Sequence, residues 1–240
     1  MKENIQKVLQ TIPWLEGLSN QALTQLSRNA RIQRFPAGTM LFVQGDVPDF
    51  CYVELEGSIE LFVTGYNFKE SLVEISNALN AYTMAAVLTG APYIVSGRTI
   101  TPATILMLEA QALRKSTRAH TQLGINLLGL ISWQFRTMVR QVVNLKSKST
   151  SERLGCYLLA LSDSEKRSTK IKLPLDKKRL AGQLGMTPMS LSRAFKTLSS
   201  HGLETRGNTV NVTNPGQLRA YSRPDHLINE AERKLKFLAD

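Results

Sequence analysis

Met189, Ser192, Arg193 and Lys196 are spaced i, i+3, i+4, i+7 in the stretch TPMSLSRAFKTL, so a helix there carries all four on one face. Leu191, Ala194, Phe195 and Leu198 repeat with the same period and must turn inward. The outward face thus joins a guanidinium, an ammonium and a small hydroxyl. Arginine can donate two hydrogen bonds to guanine O6 and N7 in a major groove, and lysine suits a phosphate. Thr187 is a good N-cap for this helix, and Pro188 suits its first position because it has no N–H to leave unpaired. Upstream, Asp176 can cap a shorter helix bearing Leu180 and Leu184, which Gly185 ends. Downstream, two short alternating runs flank Gly207 and Asn208, a turn-forming pair, which predicts a hairpin with Arg206 near its tip. Residues 173–212 therefore read as helix, tight turn, helix and wing. The candidate contacts to double-stranded DNA are Thr187, Met189, Ser190, Ser192, Arg193, Lys196 and Arg206. The plainer alternative is a three-helix packing module whose basic face is only solvated.

Charge distribution agrees with a polyanionic partner. The 240 residues carry a formal net charge of +11 with a pI near 9.8, which by itself does not separate DNA from RNA or anionic lipid. Between residues 166 and 206 ten Lys or Arg oppose only Asp176 and Glu204. Most of the surplus therefore lies in the reading module's own segment, as expected where charge follows a groove-facing surface. A hydrophobic content of 42% is enough for real cores. Cys51 and Cys156 stand far apart in apolar contexts without metal-ligand spacing, which predicts two buried thiols in a reducing cytoplasm. Lys2, Glu3 and Gln6 interrupt the start, so no signal peptide is expected, and no 18-residue apolar run predicts a membrane span.

The elements that must position the reader follow from the rest of the chain. Residues 5–31 have a helical pattern, broken at Pro13 and Gly17. Residues 34–107 change to short alternating runs punctuated by glycine, which predicts an antiparallel barrel or roll. Turns are expected at Gly45-Asp46 and Glu56-Gly57, with Cys51, Val53 and Leu55 facing one way and Tyr52 and Glu54 the other. Residues 113–146 form one long helical tract, in which Gly124, Leu128, Ile131, Phe135, Met138, Val142 and Leu145 alternate steps of four and three. A seam of that period needs a second helix, and a parallel homodimer is the expectation. The alternative is packing on the chain's own roll, for which Leu127, Leu130, Val139 and Val143 supply a separate face. SKSTSE, at 147–152, is small and polar and reads as a hinge. Past the wing, Leu227, Ala231, Leu235 and Leu238 predict an amphipathic C-terminal helix.

This order of elements resembles the Crp/Fnr superfamily of bacterial transcription regulators across about residues 5–215. The matching stretches are AGTMLFVQGD and YVELEGSIELF in the roll, SERLGCYLLAL after the seam, and LAGQLGMTPMSLSRAFKTL in the reader. The resemblance implies an α+β fold: a cyclic-nucleotide-binding-like β-roll with N-terminal helices over 1–118, a dimerisation helix over 119–146 and a hinge over 147–152. A winged helix-turn-helix over 153–215 and an extension over 216–240 complete it. It also implies a homodimer on a palindromic site, recognition helices roughly 34 Å apart, RNA polymerase as a further partner, and no enzymatic role.

Residue by residue, Ser192 and Arg193 match the Ser-Arg pair of many Fnr-like members. Met189 stands where many relatives place a glutamate that accepts from cytosine N4; methionine offers apolar contact instead, for instance to a thymine methyl. In cyclic-nucleotide members a Gly-Glu pair holds the ribose and an Arg-Ser or Arg-Thr pair the phosphate. Here Tyr82-Thr83 and Tyr93-Ile94 stand at those positions. cAMP and cGMP are therefore not expected, and the candidate effector pocket is Tyr82, Thr83, Met84, Tyr93, Ile94 and Arg98, for a non-nucleotide ligand or for side chains that fill the space. An Fnr-type iron–sulfur cluster needs several cysteines near the N-terminus, and residues 1–50 contain none. The segment NALNAYTMAAVLTGAPYIVS resembles the nitric-oxide-responsive branch, for which haem has been proposed. His120, at the start of the seam helix, is the one histidine near the sensor and could ligate it, or could be a solvated or capping residue.

Two other classes compete with a sequence-specific regulator: an effector-independent architectural DNA-binding protein, and a nucleotide-binding scaffold without DNA activity. No Gly-rich phosphate loop, His-Glu metal motif or Ser/His/Asp arrangement points to an enzyme.

Overall fold

A computed structural model describes residues 2–66, 69–76, 79–81, 83–164 and 169–229, and the chain divides near residue 135 into two compact units. In the first, α1 (Lys2–Gln10), a 3-10 turn (Pro13–Leu15) and α2 (Asn20–Arg28) precede the strands β1 (Ala30–Phe35), β2 (Met40–Phe42), β3 (Phe50–Glu56), β4 (Ile59–Thr64) and β5 (Glu70–Ile75). Helix α3 (Met84–Thr89), strands β6 (Ser96–Thr99) and β7 (Ala103–Glu109), and α4 (Ala110–Ala119) follow. All strand pairs in the unit are antiparallel, in two sheets of order β1-β7-β3 and β2-β6-β4-β5.

Strand alternation sorts the side chains of β3 and β7 between two cores. Cys51, Val53, Leu106 and Leu108 join Leu9, Trp14, Leu26, Met84 and Leu113 under the helices. Tyr52, Ala103, Ile105 and Met107 point the other way, into the interior shared with Phe42, Ile59 and Leu61 of the second sheet. The aromatic Phe42 lies against Tyr93 and Tyr52, with ring centroids 4.6 and 5.3 Å away. A Cβ on Gly97 would meet the Phe42 ring at 2.3 Å, so only glycine lets that ring lie so close. Cys51 is buried and unpaired, and burial pushes its thiol up to about 12.

The tract expected to be one helix over 113–146 is two. His120 takes an extended backbone (φ −128, ψ 103), ending α4 before α5 (Thr121–Ser147) begins. No glycine or proline marks the break, so periodicity runs straight through it. Helix α5 buries Leu123, Asn126, Leu127 and Leu130; Asn126 also donates to the Glu16 carbonyl at 2.8 Å. Val139, expected on this inner face, is instead exposed. The expected hinge is largely helical: α6 (Thr150–Ser164) starts within it. Ser149 and Glu152 form a reciprocal capping box, Ser149 N donating to the Glu152 carboxylate at 2.8 Å and Glu152 N to Ser149 Oγ at 3.3 Å.

The second unit completes itself with β8 (Lys170–Lys172), α7 (Lys177–Gln183), α8 (Pro188–Ser199), the hairpin β9 (Leu203–Arg206) and β10 (Thr209–Val212), α9 (Pro215–Ser222) and α10 (His226–Asn229). Leu154, Leu158, Ile171, Leu180, Leu191, Leu198, Val210 and Leu218 form its core. Of the expected C-terminal amphipathic helix, Ala231, Leu235 and Leu238 lie outside the described residues, and Leu227 is exposed in α10.

The roll interior contains one carboxyl at odds with its surroundings. Glu54 is 2% exposed and accepts a hydrogen bond from Ser76 Oγ, which itself accepts from Ile59 N at 3.2 Å. Burial outweighs these bonds and raises its pKa to about 7. Glu74 is raised to about 7 as well, also by burial. A carboxyl whose folded pKa is raised contributes stability that is full below its unfolded value, about 4.3, and is lost as pH rises through 7. Glu54→Gln keeps an acceptor for Ser76 and cannot ionise. Its melting temperature should therefore fall less between pH 5 and pH 8 than that of the wild type, Glu74 supplying the remaining slope. Equal slopes would show that folding does not raise the Glu54 pKa.

Candidate nucleic-acid interface and effector pocket

The reader is built by satisfying helix ends. Asp176 Oδ1 accepts from Arg179 N at 2.8 Å and starts α7; its second oxygen holds the Arg179 guanidinium at 2.6 Å. Gly185 then takes a left-handed φ of +61, which turns the chain. Thr187 Oγ1 accepts from Ser190 N at 3.1 Å and starts α8. Leu191, Ala194 and Leu198 of α8 are buried, with Phe195 partly so. Met189, Ser192, Arg193 and Lys196 are all exposed, Met189 at 65%.

These residues are not equivalent. Ser190 is half-buried and its hydroxyl accepts from Thr187 Oγ1 at 3.0 Å, which makes it part of the cap. Ser192 Oγ donates to the Pro188 carbonyl at 3.0 Å, leaving its oxygen lone pairs to the outside. Arg193 and Lys196 make no side-chain hydrogen bond or ion pair among the described residues. Their charges are open to an incoming anion.

The wing pairs in the expected register, Thr209 with Arg206 and Val212 with Leu203, and Arg206 is exposed beside the turn. The third strand of this sheet, β8, escaped sequence reasoning. It pairs with β10, burying Ile171 and leaving Lys170 and Lys172 on the outer side. The Lys-Ile-Lys alternation was its only local signal, and three residues are too few to distinguish a strand from a loop.

The candidate effector residues are not brought together. Tyr82 lies outside the described residues. Met84 is buried in the helical core, whereas Ile94 is 81% exposed. Tyr93 fills the roll itself, its hydroxyl donating to the Phe50 carbonyl at 2.8 Å and its ring packed on Phe42. Arg98 is engaged on both sides, at 2.7 Å from Glu60 and 2.8 Å from Glu70, with its guanidinium over the Phe62 ring. Thr83 does face an interior cavity, lined also by Glu54, Ser76 and Asn80, but that cavity is about 10 Å³, the room of one water molecule. A haem does not fit there. His120 does not line it; its Nε2 lies 3.2 Å from Gln25 Oε1 at the junction of α4 and α5.

The seam residues fall on the outside of their helix. Leu128 and Phe135 are 66% and 69% exposed, and Met138, Val142 and Leu145 are exposed as well. Ile131 differs, being partly buried against the first core.

Comparison with known proteins gives this arrangement a family. Residues 152–221 match the Crp-like helix-turn-helix domain, and residues 32–120 match the cyclic nucleotide-binding domain. Over 212 residues the chain is 24% identical to the probable transcriptional regulator flp of Lacticaseibacillus casei, covering 88% of this chain and 96% of that protein. It is 19% identical to the CRP-like cAMP-activated global transcriptional regulator of Mycobacterium tuberculosis, over 87% of this chain and 95% of that one. The fold is similar to that of a CooA mutant from Carboxydothermus hydrogenoformans, with a TM-score of 0.68, 17% identity and coverage of 91% and 95%. Among the described residues no helix is long and apolar enough to cross a membrane. With both domain types in this order, joined by one long helix and shared with regulators along nearly their whole length, the chain belongs to the Crp/Fnr superfamily of transcription regulators.

Proposed function

We propose that this chain is a homodimeric, sequence-specific DNA-binding regulator whose roll does not take a cyclic nucleotide. The observation that carries the DNA reading is the exposed face of α8, where Arg193 and Lys196 stand beside Met189 without a neutralising partner among the described residues. Arg193 is the base reader, Lys196 and Arg206 hold phosphates, and Met189 favours an apolar contact such as a thymine methyl. Thr187 and Ser190 set the start of the helix, and Ser192 offers an acceptor. Two readers on a palindrome need a fixed spacing, which the exposed seam of α5 supports through pairing with a second copy. RNA polymerase is the further partner that a transcription regulator of this family would meet.

Arg193→Ala should cost about 1 to 3 kcal/mol on the preferred site and relax specificity there, whereas Lys196→Ala should weaken all sequences alike and lower the salt dependence. Competition between an enriched site and random DNA separates the two. Equal loss on both DNAs for the arginine variant would assign Arg193 to phosphate.

Phe135→Asp is the cleaner test of the dimer, because Phe135 is exposed in the single chain while Ile131 also packs on its own core. Buried and unpaired in the seam, the aspartate should drive the dimer to monomers and lower palindrome affinity with it. A wild-type monomer in sedimentation, or a variant that stays dimeric, would refute the seam.

Neither cAMP nor cGMP should bind. An enclosed cyclic phosphate needs a cation or several donors, and here Tyr93 plugs the interior while Arg98 already serves two carboxylates. Calorimetry should register no saturable heat with either nucleotide. Micromolar binding that also raises DNA affinity would overturn this, and Arg98→Ala would then identify the phosphate ligand. The filled interior favours one second reading, an architectural DNA-binding protein that needs no effector. It predicts little preference for any site over random DNA in the same competition.

A further inference from the structure

The turn between α7 and α8 is tied to a residue that lies in neither helix. Arg153, near the start of α6, donates from Nε to the Leu184 carbonyl at 2.9 Å and from Nη2 to the Gly185 carbonyl at 3.3 Å. Its third nitrogen, Nη1, donates to the Lys148 carbonyl at 2.9 Å, just past the end of α5. These carbonyls close two different helices. Oxygens at helix C-termini have no partner within the helix and carry the negative end of its dipole. One half-buried cation therefore satisfies both ends together. Among the described residues its guanidinium makes no ion pair with a carboxylate. The adjacent acid Glu152 is committed elsewhere, to Ser149 N and to Arg223.

A second contact ties the same two places. A Cβ on Gly185 would lie 2.4 Å from Leu145 Cδ2, so the turn sits directly against the last part of α5. Gly185 is two residues before Thr187, the N-cap of α8. A shift of this turn must therefore re-aim α8 and the face that carries Arg193.

We propose that Arg153 is a positioning residue for DNA reading: its guanidinium holds the turn before α8 at one angle to the end of α5, and so aims the recognition face. The proposal rests on α8 as the reader and on α5 as the helix a second copy pairs with. Arginine is required for its shape. Its planar fork reaches three carbonyls, whereas a lysine ammonium at the same place keeps the charge and loses the fixed directions.

The test uses the full-length chain with Arg153→Lys and Arg153→Ala, measured on an enriched palindrome and on random DNA across a salt series, with sedimentation and melting as controls. Hydrogen bonds to charged groups are strong enough that Arg153→Ala should lose about tenfold or more on the palindrome. Random DNA should hold within about twofold, and the salt slope should not change, because a residue that touches no phosphate releases no counterion. Arg153→Lys should fall between the two in its ratio of specific to random affinity while remaining dimeric. Should the alanine variant fail to fold, the lysine variant decides: folded, dimeric and with a wild-type ratio, it overturns the proposal. Parallel loss on both DNAs with a salt slope smaller by about one would make Arg153 a phosphate contact and overturn it too. A wild-type chain that binds all sequences alike would instead remove the reader itself, and the proposal with it.

Discussion

A helix that is apolar on more than one side must find a surface for each side, and α5 is where this constraint acts most strongly. Its first half buries Leu123, Leu127 and Leu130 in the core of the first unit. Phe135, Met138 and Val142 lie farther along on a face that the chain itself leaves open, and Leu145, half-exposed, continues the row while also meeting the Gly185 turn. An isolated exposed Leu or Val needs no explanation, but a regular apolar row along one helix does. On its inner side Asn126 and Gln134 donate to the carbonyls of Glu16 and Ala81. The apolar side chains of the outer row can gain only by dispersion and burial, which is what the proposed pairing with a second copy would supply.

In the roll, two opposing demands meet in the same small volume. Aromatic and aliphatic side chains fill nearly all of it; Ser76 and the Tyr93 hydroxyl find partners there, whereas the buried Thr83 hydroxyl beside the small cavity has none among the described residues. Glu54 keeps a hydrogen bond from Ser76, yet desolvation still dominates its ionisation. Arg98, the one cation among the candidate effector residues, holds β6 to β4 and β5 through Glu60 and Glu70. Such an interior is organised around packing and one hard-to-charge acid, and not around a bound anion.

The reader works by the opposite logic. Its helix ends are closed by Asp176, Thr187 and the Arg153 guanidinium, so few backbone groups there remain unsatisfied. The cations on the exposed face of α8, by contrast, have no partner among the described residues, which costs little in water and leaves them ready for an anion.

Much of this was legible in the sequence. The caps Asp176 and Thr187, the inward row Leu191, Ala194 and Leu198, the wing register and the two faces of β3 all follow from local rules whose range is four residues or fewer. Where a local rule has nothing to act on, sequence reading ends. The break at His120 carries no helix breaker, β8 is too short to show a period, and the polar stretch 147–152 hides the capping box that starts α6 within it. Other features are not local at all. That Arg98 would find Glu60 and Glu70, that Tyr93 would occupy the roll while Ile94 turned to solvent, and that Arg153 would reach carbonyls 31 and 32 residues away depend on which strands and helices become neighbours. Periodicity determined which side of each element faces inward; only the tertiary fold decided what each side chain meets there, because partners in a packed core are chosen by proximity in space and not along the chain.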